Sequence, residues 1–443
     1  MAEYHVENFG CRSSRSDGEA IAAGLRRRGL CPATDLASAN VVVVNTCSVT
    51  ADADSGARAF IRRVHRDSPE AKIVVTGCYA QRAPDELAAL HGVSSVIGNS
   101  HKSLVADSIL APSAFVPLAK LVNSVPVYVD ENFAHTDLAM LPFAEDADQT
   151  RPNLKVQDGC ANRCSFCIIP ETRGPSRSIS LDTTIESVRR FVENSGQELV
   201  LSGINLGRWG LDLNPVQRFV DLVAAILERT ALPRLRLSSI EPMDWTPDLL
   251  ALFAAHPERL ARHTHLPLQS GSDTILRRMY RRYRPWHYAE KLSQIHSLLP
   301  DAAIGADVMV GFPGETDARF QESYNFIAAQ PFTYLHLFPF SARPGTPAAE
   351  LHRHQPVPPK AVHQRMQALR TLADQKNEAF RKNFLGGELN VVTLKGGSTM
   401  TTPALSGNFI KVEVATLSPP NRTMRVQVTH LTKSGLGAVP LAK

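Results

Sequence analysis

The sequence lacks any apolar run long enough to cross a lipid bilayer. Its apolar runs, such as residues 41–44, hold only a few residues, whereas a membrane-spanning helix needs about 20. The start of the chain also lacks the basic segment followed by an apolar stretch that marks a secretory leader. We therefore expect a cytoplasmic protein with no membrane partner.

Compositional extremes are absent too. Hydrophobic residues make up 43% and charged residues 21% of the 443 residues, proportions typical of a globular protein of about two to four domains. No internal repeat or low-complexity tract is present, which excludes solenoid and fibrous architectures. The formal net charge of +5 permits a polyanionic partner without requiring one.

Cysteine is scarce, with seven residues in the chain. In a reducing compartment, cysteines that cluster favour metal binding over disulfides. Cys160, Cys164 and Cys167, the second cysteine triad, cluster at C-x3-C-x2-C spacing. Three thiolates this close suit a cubane iron–sulfur cluster, whose fourth iron stays open for another ligand. A structural zinc site would need a nearby fourth Cys or His, and the next one is His256. Three reduced core thiols or an incomplete zinc knuckle are the alternatives.

The first hundred residues alternate short β-rich runs with helical patterns, which predicts a doubly wound parallel α/β domain. The strand-like runs are residues 4–9, 40–45, 72–76 and 95–97. The helical patterns cover residues 17–28, 54–65 and 84–90.

Three more cysteines follow the ends of these strands: Cys11, Cys47 and Cys78, the first cysteine triad. The carboxyl ends of parallel strands share one edge of a sheet, where such folds bind ligands. We therefore expect the first triad to converge on one point as a second metal-binding group. Each of its members could equally be a small buried residue. Cys31 lies away from the strand ends and is interpreted as structural.

A second βα region follows a segment of mixed polarity with several prolines, residues 111–150, which we interpret as a linker with some strand content. The pattern over residues 151–383 predicts a partial (βα)6 barrel. Its expected strands are residues 154–157, 198–202, 234–238, 263–268, 304–310 and 334–338. Its expected helices include residues 187–194, 216–229, 288–298 and 318–328.

Chemistry in such barrels collects at the carboxyl ends of the strands, and three residues there are candidates for cofactor binding. Gly203 could let a ligand approach the backbone closely. Glu241 and Gln269 could hydrogen-bond a ribose or an amino group. For each residue alone, a role in a turn or at the barrel rim is as plausible. No side chain is assigned as a catalytic acid or base.

The last third of the chain contains two basic features. Residues 277–284 hold five arginines and two tyrosines, which fits a solvated helix end or contact with RNA phosphates and bases. After a polar helix at residues 360–382, residues 384–443 show strand-like alternation with six Lys or Arg against two Glu. Its expected strands are residues 388–394, 408–414 and 424–431. A small basic antiparallel β-barrel is a common RNA-binding shape, and a barrel that only caps the enzyme is the alternative.

Taken in order, these motifs resemble the radical SAM methylthiotransferases from end to end. The resemblance rests on Asn45-Thr46-Cys47, on Thr76-Gly77-Cys78, on the second triad, and on a terminal barrel similar to the TRAM RNA-binding module. The segments most similar to the MtaB branch are residues 165–170, 173–178, 308–316, 337–341 and 343–347.

The resemblance implies four regions and two kinds of cofactor. The regions are an N-terminal methylthiotransferase domain, a linker, a radical SAM core and a TRAM-like barrel, at residues 1–110, 111–150, 151–383 and 384–443. The cofactors are two [4Fe-4S] clusters and S-adenosylmethionine (SAM). The second triad would hold the cluster that binds and cleaves SAM to a deoxyadenosyl radical. The first triad would hold the cluster that supplies the sulfur.

The implied reaction is methylthiolation of threonylcarbamoyladenosine beside the anticodon of tRNA. Sibling branches act on isopentenyladenosine in tRNA or on an aspartate of a ribosomal protein. The implied partners are tRNA and a low-potential electron donor such as a flavodoxin or a ferredoxin, and we expect a monomer. A scaffold protein that keeps its clusters without turnover is the rival class.

Overall fold

The structure, a computed structural model, describes residues 2–110, 120–133, 150–398 and 400–441. These residues divide into two compact units. The first unit takes the described residues within Met1–Glu145, Lys155–Ile179 and Ser341–Ala349, and the second takes those within Asp146–Leu154, Ser180–Phe340 and Glu350–Lys443. The loop that carries the second triad thus belongs to the same unit as the N-terminal residues. The region boundaries inferred from the sequence stay a prediction.

The first unit is built on a seven-stranded sheet. In spatial order its strands are Cys31–Pro32, Glu3–Asn8, Val41–Thr46, Lys72–Gly77, Val93–Gly98, Val125–Tyr128 and Lys120–Val122. All neighbours pair in parallel except the last two, which are antiparallel. Its α-helices within the described residues are Arg12–Arg27, Ala51–Asp67, Cys78–Arg82, Pro84–Ala88, Val105–Leu110 and Ile169–Arg173.

The central strands of this sheet are buried on both faces. Val42 and Val44 belong to one hydrophobic cluster, and Val41 and Val43 belong to another. Because successive side chains of a strand point to opposite faces, the two clusters lie on opposite sides of the sheet. This confirms the predicted doubly wound α/β architecture, in which helices cover both faces.

Part of the segment interpreted as a linker joins this sheet. Lys120–Val122 and Val125–Tyr128 form its last two strands. The rest of that segment, at residues 111–119 and 134–149, lies outside the described residues.

The second unit contains the remaining βα units. Glu198–Gly203 and Arg234–Leu237 pair in parallel, and His263–His265, Ala303–Val310 and Tyr334–Pro339 form a parallel three-stranded sheet. The strand before them, Asn153–Asp158, crosses the division between the units. The α-helices described here are Leu181–Glu193, Phe219–Arg229, Pro247–Ala255, Asp273–Arg278, Pro285–Leu298, Asp317–Ala329 and Pro359–Lys382, and helix Pro347–His354 crosses the division between the units.

Every strand predicted for this region is present, with one shortened. The strand expected at residues 263–268 ends at His265, because its pairing with Ala303–Val310 becomes irregular: the Leu268 and Gln269 N–H groups both donate to Asp307 O. Four short helices within residues 151–383 had not been predicted: Ile169–Arg173, Pro247–Ala255, Asp273–Arg278 and Pro347–His354.

The terminal region is a closed five-stranded barrel, as predicted. Its strands follow the order Glu388–Thr393, Thr402–Ser406, Lys411–Val414, Leu436–Pro440 and Thr423–Leu431. The sequence had not revealed Thr402–Ser406 or Leu436–Pro440. The predicted antiparallel pairing holds at four of the five strand pairs, whereas Lys411–Val414 and Leu436–Pro440 are parallel.

Of the helices in the described ranges, none combines the length and the apolar character that crossing a bilayer requires.

Candidate metal centres

The first triad lies at one edge of the seven-stranded sheet. Cys11 directly precedes helix Arg12–Arg27, Cys47 follows strand Val41–Thr46, and Cys78 begins helix Cys78–Arg82. Cys47 and Cys78 are each only 3% exposed, whereas Cys11 is exposed. The structure therefore brings the three cysteines to one place, as the positions of the strand ends predicted.

The electrostatics of the first triad fit a metal site. Burial and the nearby Cys78 and Cys11 sulfurs raise the pKa of Cys47 to about 11, so the Cys47 thiol stays protonated at neutral pH. A bound metal cation reverses that preference, because it stabilises thiolate over thiol. Three sulfurs gathered at one sheet edge, two of them buried, are also the donor set that iron–sulfur clusters use.

Two glycines allow the backbone segments that carry these cysteines to lie close together. Gly10 has φ +107°, and a Cβ atom there would lie 2.4 Å from Cys47 Cβ. Gly77 has φ +101°, and its Cβ would lie 2.3 Å from the Thr46 carbonyl oxygen. Only glycine tolerates both the left-handed backbone and such close contact. A glycine directly before Cys11 and Cys78 was therefore a usable sequence signal for a shared site, and it had been missed.

The second triad occupies the loop between Asn153–Asp158 and helix Ile169–Arg173. Its three cysteines are all half-buried. The Cys160 N–H donates to Gly174 O at 3.1 Å, the Cys167 N–H donates to Cys164 O at 3.1 Å, and the Asn162 N–H donates to Cys160 Sγ at 3.4 Å. The backbone thus fixes the loop and already directs a donor at one sulfur, as in the hydrogen bonds that tune iron–sulfur ligands.

A buried charge network lies beside both triads in the first unit. Arg173 is 1% exposed, and its guanidinium donates to Asp158 Oδ1 at 2.9 Å and to Asp17 Oδ2 at 3.0 Å. Lys102 Nζ lies 2.5 Å from Asp17 Oδ2. Lys155 pairs with both carboxylates, at 2.9 Å in the case of Asp158. The network therefore holds three cations against two carboxylates.

The pKa shifts in this network follow from its geometry. Burial opposes ionisation of Asp17, but Lys102 and Lys155 hold its pKa well below its usual range. Burial likewise opposes ionisation of Asp158, and Arg173 leads the cations that lower its pKa. Both carboxylates are therefore charged at neutral pH. No local pattern in the sequence pointed to this network, because its members lie far apart along the chain.

The three residues predicted to contact a cofactor lie at or shortly after strand ends of the second unit, in different environments. Gly203 ends strand Glu198–Gly203 and is half-buried. The Glu241 carboxylate forms an ion pair with buried Arg281. Gln269 is 7% exposed with φ +65°, and its Oε1 has no hydrogen-bond partner in the part of the chain that the structure describes. A strained residue with an unsatisfied buried oxygen is typical of a ligand site.

The structure adds a polar group that the sequence had not indicated. His265 Nε2 and His336 Nδ1 each lie 3.3 Å from Asp307 Oδ1. One ligand atom from each of the three residues lies within 4.8 Å of the others. Burial opposes ionisation of Asp307, but the two imidazoles hold its pKa below its usual range. Such a group could hold a divalent cation or the polar end of a bound molecule. The parallel register that pairs Asp307 with His336 creates it.

The arginine-rich run at residues 277–284 is less available to RNA than its composition suggested. Arg281 is 7% exposed in its pair with Glu241. Arg277 and Arg284 both pair with Asp273, at 2.8 and 3.5 Å. Tyr283 is buried, and its hydroxyl donates to backbone oxygens just before Gln269. Much of this run therefore makes contacts inside the second unit.

The terminal barrel is anchored to the rest of the second unit by buried arginines. Arg236 is fully buried, and it donates to Glu198 Oε1 at 2.7 Å and to Ser406 O at 3.0 Å. Burial opposes ionisation of Glu198, but Arg236 and Arg151 lower its pKa to about 2. Arg381 donates to the Thr432 and Gly435 carbonyl oxygens at 2.9 and 2.8 Å. Lys411 and Arg422 remain exposed, whereas Arg425 pairs with Glu388.

Comparison with known proteins identifies the family. The model described as "Uncharacterized protein family UPF0004" matches residues 3–98, and that of the Radical SAM superfamily matches residues 154–327. The threonylcarbamoyladenosine tRNA methylthiotransferase MtaB of Bacillus subtilis (strain 168) is 34% identical over 88% of this chain and 85% of its own. The chain belongs to the MtaB-type radical SAM methylthiotransferase family. As a member of this family it is an enzyme that uses SAM and [4Fe-4S] clusters.

Two further similarities complete the comparison. The tRNA-2-methylthio-N(6)-dimethylallyladenosine synthase of Acidothermus cellulolyticus (strain ATCC 43068 / DSM 8971 / 11B) is 33% identical over 84% of this chain and 73% of its own. Among solved structures, the radical S-adenosylmethionine methyltransferase TsrM from Kitasatospora setae superposes with a TM-score of 0.57 at 15% identity, over 79% of this chain and 77% of that one. The likeness to TsrM shows a shared fold.

Proposed function

We propose that this enzyme transfers a methylthio group to C2 of N6-threonylcarbamoyladenosine next to the anticodon of tRNA. The observation that carries the proposal is the pair of cysteine triads in a chain of the MtaB-type family. Four relatives named for this reaction are 33–34% identical to the chain over most of its length.

The cysteines would hold the two clusters. The sulfurs of Cys160, Cys164 and Cys167 would ligate the one that engages SAM, and those of the first triad would ligate the other. When bound, these groups supply the radical chemistry at the adenine carbon and the sulfur that is transferred. The protein's own residues bind and orient. No side-chain base is required, since an aromatic C–H is too weakly acidic for general-base catalysis.

Gly203, Glu241 and Gln269 would contact SAM. The unsatisfied Oε1 of Gln269 is suited to accept a hydrogen bond from an amino group or a ribose hydroxyl. Arg281 pairs with Oε2 of the Glu241 carboxylate and holds it in place. The other carboxylate oxygen can then accept a hydrogen bond from a ribose. Gly203 would leave space for the adenine or ribose beside the strand end.

The terminal barrel would position tRNA by contacting phosphates, which fixes orientation without reading bases. Lys411 and Arg422 are the exposed cations suited to this role. We further propose that the enzyme is a cytoplasmic monomer and that a flavodoxin or a ferredoxin supplies the electron.

The alternatives within the family are methylthiolation of isopentenyladenosine in tRNA and of a ribosomal-protein aspartate. Relatives named for the dimethylallyladenosine reaction are 30–33% identical, slightly below the MtaB group. The deciding experiment is nucleoside mass spectrometry of tRNA from cells that lack this gene, complemented with the native gene or with Cys47→Ala.

Loss of 2-methylthio-threonylcarbamoyladenosine in the deletion strain, restored only by the native gene, supports the proposal. Loss of the methylthio group from isopentenyladenosine instead would assign the sibling reaction. Unchanged tRNA with an unmodified ribosomal-protein aspartate would assign the protein reaction. Unchanged tRNA and protein would favour a scaffold without turnover.

A further inference from the structure

Helix Ile169–Arg173, directly after the second triad, is joined to the first triad by two polar side chains. Asn99 is buried, and its Nδ2 group donates to Thr172 O at 2.7 Å and to Cys78 Sγ at 3.3 Å. One amide group thus contacts both a first-triad sulfur and the backbone of this helix.

Ser14 makes the corresponding link to Cys11. Its hydroxyl accepts from Arg173 Nη2 at 3.4 Å and lies 3.7 Å from Cys11 Sγ. Two of the three first-triad sulfurs are therefore one side chain away from the end of the same helix. Arg173, the last residue of that helix, contributes to the electrostatics of Cys47 as well.

The positive charge on Arg173 has a strong electrostatic effect because the side chain is buried. The side chain is 1% exposed, and it belongs to a network of three cations and two carboxylates that is positive overall. Charges act strongly in a buried setting of low effective dielectric. An iron–sulfur cluster held by three thiolates becomes more negative on reduction, and its potential depends on nearby charge and on hydrogen bonds to sulfur.

We propose that Arg173 is a positioning residue for the first cysteine triad, where its buried positive charge stabilises the reduced form of a bound iron–sulfur cluster while Ser14 and Asn99 orient the cysteine sulfurs. The inference rests on the assignment of a cluster to this triad under the proposed function. It links Arg173, the last residue of the helix after the second triad, to the reduction potential of the cluster at the first triad.

The test uses full-length protein in which Cys160, Cys164 and Cys167 are all Ala, so that only the first triad can bind a cluster. After anaerobic reconstitution, the midpoint potential is measured by an EPR-monitored redox titration, alongside iron content and circular dichroism. Arg173→Gln should shift the reduction equilibrium about tenfold towards the oxidised form, which is about 59 mV for one electron.

Three further variants separate charge from structure. Arg173→Lys keeps the charge and should leave the potential near that of the parent. Asp158→Asn removes a negative charge from the same network and should shift the potential in the opposite direction to Arg173→Gln. Arg28→Gln removes a positive charge from an exposed pair with Asp107 and should change nothing.

The outcomes are distinct. An unchanged potential in a folded, iron-loaded Arg173→Gln protein overturns the inference, and so does an equal shift in Arg173→Gln and Arg173→Lys. If Arg173→Gln does not fold, the Asp158→Asn protein provides the test instead. An unchanged reduction potential in that protein also overturns the inference. A parent that binds no iron at all would instead remove the cluster from the first triad and contradict the proposed function.

Discussion

The two cysteine triads present the same three ligands but are assembled in different ways. The second triad sits in one loop whose conformation is held by hydrogen bonds among its own neighbours, and its cysteines are half-buried. The first triad is collected from three strand ends of one sheet, and two of its cysteines are almost fully buried. The second triad therefore depends on the local backbone of its loop, whereas the first triad depends on the packing of a whole domain.

The largest expected effect separates the chemical roles of the two triads. Cys47→Ala should abolish the methylthio product while the protein still cleaves SAM to deoxyadenosine under dithionite. Replacing the whole second triad with Ala should abolish SAM cleavage and reduce iron from about eight to about four atoms per chain. Product analysis and iron determination measure both. If Cys47→Ala also lost SAM cleavage, the first triad would have a folding role instead.

The next effect concerns the charge network that both triads share. Asp17 is fully buried between Lys102, Lys155 and Arg173. Asp17→Asn should lower the free energy of unfolding by about 3–5 kcal/mol, because it leaves buried cations without their partner. Asp107→Asn, at an exposed pair with Arg28, should cost about 0–1 kcal/mol. Urea unfolding of the metal-free protein measures both changes in the free energy of unfolding. Equal losses of stability in the two variants would show that the buried network contributes no more than the exposed pair.

A glycine substitution should damage the first triad and leave the second intact. In Gly10→Ala, the new Cβ would lie 2.4 Å from Cys47 Cβ, in addition to the strain of φ +107°. Gly29→Ala has similar strain at φ +88° but no atom within 4 Å, so it costs only about 1–2 kcal/mol. Gly10→Ala should therefore lose half of the iron, and Gly29→Ala should keep all of it. Full iron in Gly10→Ala would contradict the close packing at this site.

Acid should loosen the network between the triads. The pKa values of Asp17 and Asp158 are lowered in the folded protein relative to their ordinary 3.8. Their contribution to stability is therefore complete above that value and is lost as the pH falls below it. Urea unfolding of the metal-free protein between pH 7 and pH 3 should show this decline, and the Asp17→Asn/Asp158→Asn protein should show less of it. An identical decline in both proteins would place the acid sensitivity elsewhere.

We expect the smallest effect from changes to the terminal barrel, which should leave the iron content of both triads unchanged. Lys411→Glu/Arg422→Glu should weaken tRNA binding and reduce its dependence on salt, because each phosphate contact releases counterions. Arg425→Glu should also disturb the pair with Glu388 and is a poorer probe. Filter binding over a salt series measures the change, with iron content as the control. Deleting the barrel would be less informative, because it would expose the buried Arg236–Glu198 pair. An unchanged salt slope would indicate that the barrel only caps the enzyme.

The sequence alone was sufficient for the features that depend on nearby residues. The second triad, the alternation of strands and helices and the terminal barrel all follow from spacing or periodicity within short windows. The convergence of the first triad was also predictable, because parallel βα units place successive strand ends at one edge of a sheet. The shortened strand at His265 and the parallel pair in the barrel were not predicted, since both depend on pairing across the chain.

Only the tertiary structure determined how the sites are supported. Arg173 and Asp17 are 156 residues apart in the chain, and nothing in the local sequence of either residue shows that they will be buried together. The same holds for Glu241 with Arg281 and for His265 with Asp307 and His336. A buried charge is stable only with its partner beside it, and that partner is selected by packing, which local sequence patterns do not encode.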